Sequence, residues 1–587
     1  MLDHLQPSSD LQPAKEGPSL KTIDQRLREL YPPGAIYIAY AETFNTLSEK
    51  RIRSASGAIR MKTNWMTKMN DQTIRDRWTA EAVAQGLTEK EISYMFDELT
   101  YYATLHVPGS KVFLSSVDRV WYSDELIDEM TAGRLLEHAA VLEALPEKDW
   151  HPRSNDQVLN LIHPSLFPLN YSVTPFVETP IASPAAALEL KSFGKFPGSI
   201  TSWKSAIEAV FGNQSGAGST GFYIPSITDR VISQKFCWLP TEFDVALDGA
   251  VEIKSYINNL HPIKYASFYP TIAAIFGKFV PMLEQVITDM VHRREQRVVP
   301  DPYNWFDQSG EPEYDENNRE EYFDKYDEWE KNRSFFEPQP EPFKTPDRPT
   351  EPYSLLGRRL QAIVKMSNIM LTPDNPVYEG GAWHVEALAN ERIIATGIYY
   401  YDVENITENE LDFRERVDED IYYEQSDERG LDLAYGMFTR MREEGEEDND
   451  YEIPISQEIG GIRSKKGRCL VFPNIYQHRV SGFKLADKTK PGHRKILAFF
   501  FIDPSTRIPS TEIVPPQQQE WWAERAMETD PLAELPLIIK RVILEKVKYP
   551  ISLKDAKKLR LELMDERSSQ NPTINEYFRP DFNFCEH

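Results

Sequence analysis

Two of the chain's eleven histidines stand where a carboxylate could join them around a metal ion. Tyr378-Glu-Gly-Gly-Ala-Trp-His-Val-Glu386 supplies His384 and Glu386, and Asn474-Ile-Tyr-Gln-His-Arg-Val480 supplies His478. Two imidazoles and one carboxylate on one face of Fe(II) are the ligand set of non-haem iron oxygenases. His384 and Glu386 are two residues apart, so on a strand both side chains point to the same side. The third ligand must then arrive on another strand. Eleven histidines offer such triples by chance, so the weight falls on what accompanies them.

An Fe(II) held by three protein groups keeps three positions open. A 2-oxo acid can fill two of them and oxygen the third. The far carboxylate of 2-oxoglutarate needs a cation, for which arginine is the best fork. Arg494 follows His478 by sixteen residues, on a segment expected to turn back beside it as the second strand of a hairpin. Arg494, Ile496, Ala498 and Phe500 share one face of that strand, and Lys495, Leu497, Phe499 and Phe501 the other. One arginine on an otherwise apolar strand fits a buried carboxylate clamp; a surface arginine at a strand end is the bland alternative. His493 is a rival ligand, ranked below His478 because choosing it leaves only Arg507 as the later cation.

The elements that must position these residues are readable in outline. Leu360–Leu371 and Arg392–Tyr401 read as strands flanking the first motif, and Arg468–Phe472 as the strand that delivers His478. Residues 230–260 alternate as strands, with a hairpin turn at Asp248-Gly249. Pro270 to His292 reads as a long helix with one apolar stripe. Thr88 and Glu91 form a capping box at the start of a helix. Helices are also expected over Asp124–Met130, Ala132–Leu145, Gln519–Ala526, Leu532–Val547 and from Ser552 to Leu563. Gly216-Ala-Gly-Ser-Thr-Gly221 matches GxGxxG, but a helix over Lys204–Phe211 precedes it and an extended piece follows, so it reads as a loop. His151 and His163, each before a proline, read as packing residues.

The expected division is a disordered tail over 1–20, a mainly helical region over 21–190, a catalytic jelly roll over 191–515, and C-terminal helices with a tail over 516–587. Charged, proline-rich insertions fall at about 293–352 and 418–450. The first is expected to be solvated and pinned by Trp305, Tyr322, Trp329 and Phe335. Hydrophobic residues make up 41% of the chain and aromatics 12%, enough to build a core. A net charge of −26 argues against a nucleic-acid partner, since phosphate binding needs a basic footprint. Three cysteines without a CxxC, no apolar N-terminal run and no uninterrupted membrane-length stretch imply a soluble intracellular protein, cytoplasmic and compatible with the nucleus.

In its order of motifs the chain resembles the Fe(II)/2-oxoglutarate dioxygenases, most closely in the prolyl-hydroxylase-like layout. There a jelly roll carries His-Val-Asp and then an Ile-Tyr-Tyr strand, matched here by His384-Val-Glu386 and Ile398-Tyr-Tyr400. The resemblance implies iron held by His384, Glu386 and His478, and a tyrosine helping to hold the 2-oxoglutarate carboxylate: Tyr400, or Tyr399 on the other face. Asn368 and Lys365, on the strand before the motif, are further candidate contacts. The acid is Glu386 where aspartate is usual, and its presence argues against a halogenase.

The chain also resembles a fungal family described as domain of unknown function 4246. The shared phrases are Asp149-Trp-His-Pro, Ile162-His-Pro-Ser-Leu, Ser255-Tyr-Ile-Asn-Asn-Leu-His-Pro262, Glu379–Glu386, Tyr399–Thr407 and Cys469–His478. The expected fold is α+β: a double-stranded β-helix (jelly-roll) core with a helical N-terminal part and C-terminal helices. The expected function is oxidation of a small-molecule or protein substrate with Fe(II) and 2-oxoglutarate. Two alternatives stay open: a cupin-like metal oxygenase without 2-oxoglutarate, and a non-catalytic jelly-roll interaction module.

Overall fold

A computed structural model describes residues 42–190, 192–199, 202–203, 232–292, 295–418, 421–424, 427–437, 452–528, 534–546 and 549–583. The expected tail over 1–20, the helix over Lys204–Phe211 and the Gly216–Gly221 loop lie outside these residues.

Helices α1 (Leu47–Arg60), α2 (Gln72–Ala84) and α3 (Glu89–Thr104) come first. Thr88 and Glu91 close the capping box at α3. Short strands β1 (Phe113–Leu114) and β2 (Trp121–Ser123) follow, then α4 (Glu129–Glu143), β3 (Asp149–Trp150) and β4 (Val158–Ile162). β5 (Thr241–Val245) and β6 (Val251–Ile253) make the expected hairpin, with Gly249 at φ +84° in its turn. The long helix is α5 (Phe268–Val291), and α6 (Arg319–Asn332) lies in the first insertion. The site region holds β7 (Arg359–Leu371), β8 (Val377–Tyr378), β9 (Ile393–Glu404), β10 (Glu410–Glu415) and α7 (Glu428–Tyr435). It continues with β11 (Gln457–Arg463), β12 (Cys469–Pro473), β13 (Tyr476–Val480), β14 (Phe483–Lys484) and β15 (Gly492–Ile502). Helices α8 (Gln519–Glu528), α9 (Leu537–Lys546) and α10 (Leu553–Phe578) end the described chain, apart from a short final strand.

The fold is α+β, built on a ten-stranded sheet whose main path runs β1-β2-β12-β9-β15-β7-β4-β3. β5 also pairs with β7, and β6 with β5. β15 is apolar on both faces, which suits it to the middle of a sheet. One face sets Phe499 and Phe501 against Phe276 and Phe279 of α5, and the other turns Phe500 toward Trp238. α5 lies so close to β9 that a Cβ at Gly397 would come 2.7 Å from the Phe279 ring. Ile275, Phe276, Phe279 and Val286 of α5 are fully buried, each contributing about 1.5–3 kcal/mol of transfer free energy. By length and composition α5 could also cross a membrane, but here most of it is buried in the core.

A smaller antiparallel sheet, β11-β10-β13, packs against the large one, with Phe413 of β10 5.1 Å from Phe472 of β12. Two expectations change here. β13 and β15 are not partners in one hairpin, because they belong to different sheets. β15 already has β9 and β7 on its two edges, and β13 finds its backbone partners on β10. Residue 190 does not divide the sheet either: β2 pairs with β12 and β4 with β7, so the N-terminal part supplies strands to the large sheet. Strands of two to five residues are too short for alternation to reveal them.

Of the four aromatics expected to pin the first insertion, Trp305 and Phe335 pack together in a core cluster, whereas Tyr322 and Trp329 lie on α6 and are not buried. Trp305 is buried and its indole N–H donates to Asp427 at 2.7 Å, while α6 buries no residue. Of the second insertion, α7 is described, and residues 438–450 are outside the described part. α10 continues past the expected end at Leu563 to Phe578 because Ile574 and Phe578 bury against the body of the protein.

Candidate metal centre

His384 and Glu386 lie on no regular strand. The backbone of His384 makes an isolated bridge to His478 of β13, N–H to carbonyl in both directions at 3.1 and 2.9 Å. The loop therefore docks on the free edge of the small sheet and brings His384 beside His478. Ala387, at φ +62°, turns the chain away directly after Glu386. Asn474 fixes this turn by accepting from Glu386 N–H at 2.9 Å and donating to the Glu386 and Ile393 carbonyls at 3.1 Å.

The three expected ligands meet. Their ligand atoms all lie within 4.8 Å of one another, the one such cluster among the described residues. Glu386 Oε1 is 3.4 Å from His478 Nε2 and 3.7 Å from His384 Nε2. The Ala382 carbonyl accepts from His384 Nδ1 at 2.9 Å, which assigns the ring proton there and leaves Nε2 with its lone pair. His478 is buried and held by rings, with Phe472 4.8 Å away; its Nδ1 has no hydrogen-bond partner among the described residues. The His384 side chain is 42% exposed and marks the open side.

Charge is unevenly shared. Burial, followed by the neighbouring His384, pushes the His478 imidazole down to about 4. Burial also opposes ionisation of Glu386, but the two imidazoles and then the Lys365 ammonium outweigh it and hold the carboxyl well below its usual range. For His384 the effect of burial is outweighed by Glu386 and the Ala382 carbonyl, and its pKa rises. A carboxylate with two imidazole nitrogens is thus in place for a divalent ion.

The sheet register sorts the remaining candidates. Arg494 is opposite Ile369 of β7 and Val403 of β9, and Lys365 is opposite Ala498. Thr396, Ile398 and Tyr400 of β9 face Phe500, Ala498 and Ile496, so all share the face that looks toward the small sheet. Arg494 is buried; Nη2 donates to Tyr400 OH at 3.2 Å, Nε to Ser464 Oγ at 3.3 Å, and the guanidinium lies 4.7 Å from the Tyr400 ring centre. Among the described residues no carboxylate pairs with it.

Asn368 and Tyr399 fall on the opposite face, a correction to their expected role. Asn368 donates to Glu143 of α4 at 2.7 Å and accepts from Tyr401 OH at 2.8 Å, while Tyr399 faces Leu497. His493 is taken by Asp402 at 2.7 Å. His151 and His163 pack together, rings 5.1 Å apart, and burial lowers the pKa of both.

Three contributors were not singled out from the sequence: Asn474, Ser464 and Thr396. Thr396 is fully buried and its hydroxyl has no partner among the described residues. The alternation that selects Tyr400 also selects Thr396, four residues before it on the same strand. Nothing local to Asn474 or Ser464 announces their partners, which lie 88 and 30 residues away.

A search of curated proteins finds no match. Among solved structures, one titled "Selenomethionine labeled Fe(II)/(alpha)ketoglutarate-dependent dioxygenase TqaL" is 10% identical over 45% of this chain and 66% of that one, at a TM-score of 0.21. A likeness of that strength carries no argument, and the chain spans just under two thirds of that protein. The family described as "Protein of unknown function (DUF4246)" matches residues 89–525, most of the chain, and the protein belongs to that family.

Proposed function

We propose that this protein is an Fe(II)- and 2-oxoglutarate-dependent oxygenase with a jelly-roll core. The observation that carries the reading is a pairing: a His-Glu-His cluster at the edge of the small sheet, and on the facing large sheet a buried arginine without an acid partner among the described residues. The strand orders β12-β9-β15-β7 and β11-β10-β13, all antiparallel and packed face to face, support the jelly roll.

The residues fit the groups they would hold. Two imidazole nitrogens and one carboxylate oxygen suit non-haem Fe(II) and leave coordination positions open. Burying an uncompensated guanidinium costs several kcal/mol, so Arg494 calls for an anion. Its fork matches a carboxylate, and Tyr400 OH stands beside it as a second donor. Iron with 2-oxoglutarate would supply the oxidising chemistry, releasing succinate and carbon dioxide. The chain's own part is to orient the His384 ring through its Nδ1 bond to the Ala382 carbonyl, keep Glu386 ionised between the two rings, and screen His478 from water behind Phe472 and Phe413.

The test is an anaerobic titration of iron-loaded protein with 2-oxoglutarate. A metal-to-ligand absorption band is expected, and Arg494→Gln should weaken the apparent affinity at least tenfold. If iron binds and no band forms, the metal-only oxygenase takes over. If His384→Ala retains full iron affinity, the ligand assignment fails.

A further inference from the structure

Resting on the oxygenase reading, the inner face of the large sheet carries one more cation than the co-substrate uses. Lys365 stands half-buried in the middle of β7, its ammonium 5.9 Å from the Phe500 ring. Among the described residues no carboxylate or hydrogen-bond acceptor pairs with it.

Lys365 and Arg494 are not two halves of one clamp. Lys365 lies opposite Ala498 and Arg494 opposite Ile369, so four residues separate them along the strand pair. At about 3.3 Å per residue their Cα atoms are offset by roughly 13 Å along the strands. A five-carbon diacid that chelates the metal through its oxo end offers one far carboxylate, for which Arg494 and the Tyr400 hydroxyl already stand together as donors. The charge of Lys365 also bears on all three metal ligands and on His151 and His163.

The carboxylate that this charge reaches, Glu386, is already shared between the two imidazoles at 3.4 and 3.7 Å. Burial keeps His151 and His163 neutral. The other cations near the pair already have acids: Arg560 holds Asp149 at 2.8 Å, and Arg567 holds Glu391 at 2.6 Å. The Thr396 hydroxyl shares the inner face, opposite Phe500, but is fully enclosed and offers no surface to a ligand. One ammonium, without a backbone nest or a second free cation beside it among the described residues, matches a single carboxylate better than a phosphate dianion.

We propose that Lys365 binds a carboxylate of the substrate, and that the substrate is a small carboxylic acid. Lys365 is then a substrate-positioning group beside the metal, separate from the Arg494–Tyr400 clamp.

The test uses full-length protein loaded anaerobically with Fe(II) and saturating 2-oxoglutarate. Calorimetry measures binding of carboxylic acids paired with their neutral amides, from acetate and acetamide to 4-phenylbutyrate and 4-phenylbutyramide. At least one acid should bind tenfold or more tightly than its amide. Lys365→Met should erase that preference and leave 2-oxoglutarate affinity within twofold, while Lys365→Arg should retain the preference. The proposal is overturned if no pair discriminates, if the preference survives Lys365→Met, or if that variant loses tenfold in 2-oxoglutarate affinity, which would assign Lys365 to the co-substrate. Should Lys365→Met not fold, the acid–amide comparison on the native protein and on Lys365→Arg still decides. Failure of the native protein to bind 2-oxoglutarate is a separate result that removes the oxygenase reading itself.

Discussion

A guanidinium buried against a phenol and a serine has given up its water without gaining an opposite charge. At Arg494 the Tyr400 ring offsets part of that loss through a cation–π contact of about 0.5–2 kcal/mol, and the Tyr400 and Ser464 oxygens accept two of the N–H groups. The remaining donors are available to an anion. Tyr400→Phe keeps the ring and removes one oxygen, so the loss should match a single hydrogen bond, about 0.5–1.5 kcal/mol. That corresponds to 2-oxoglutarate binding some two- to twelvefold weaker in the anaerobic titration, with iron affinity unchanged. A fall in iron affinity instead would place Tyr400 in support of the metal ligands. At this scale much was legible: alternation along Gly492–Ile502 put Arg494 on one face with Ile496, Ala498 and Phe500, and alternation along β9 puts Tyr400 and Thr396 together. The choice between Tyr400 and Tyr399 was not legible, because β9 is apolar on both sides and only the register with β15 says which side faces the small sheet.

Among elements, the loop 379–387 is the one the ligand geometry depends on, and it has little regular structure of its own. It is tied down by the His384–His478 bridge, by Gly381 N–H to the Val480 carbonyl at 2.9 Å, and by Asn474. Gly380, at φ +103°, leaves no room for a side chain, since a Cβ there would come 2.9 Å from the Val480 carbonyl. Asn474→Ala deletes three hydrogen bonds in one step and strands buried backbone groups of Glu386 and Ile393. A cost of about 1–3 kcal/mol in stability is expected from the unsatisfied groups, and iron affinity should fall about 10–100-fold, as when a ligand loses its outer support. Chelator competition and denaturant unfolding measure the two effects separately. Unchanged iron affinity in a folded variant would mean that the bridge alone sets Glu386. The sequence made the long elements plain, β7, β9 and α5, because each carries an unbroken periodic pattern. It placed β13 beside β15 wrongly, since proximity in the chain favours a hairpin while the edges of β15 were already claimed by strands 90 to 130 residues earlier.

Across the whole molecule, the helix farthest along the chain closes over the site's outer supports. α10 reaches Asp149 through Arg560, Glu391 through Arg567, and Arg414 and Gln477 through Asn575. Arg567 also lies 3.9 Å from the Trp238 ring. Glu391 is the critical contact, because it is fully buried and accepts from the backbone N–H groups of Leu388 and Trp238 at 2.8 and 3.0 Å, just beyond the ligand loop. Burial raises its pKa, and the Arg567 charge then opposes that rise. Removing Arg567 leaves a buried carboxylate without its counter-ion, a loss of about 3–5 kcal/mol by the usual cost of breaking a buried pair. A carboxyl with a raised folded pKa binds its proton more readily folded than unfolded, so its penalty is full above the folded pKa and fades as pH falls toward the unfolded value. The stability gap between Arg567→Ala and the native protein should therefore be widest near neutral pH and narrow on acidification, read by denaturant unfolding at each pH. A gap independent of pH would assign the effect to lost packing on Trp238, with the Glu391 charge playing no part.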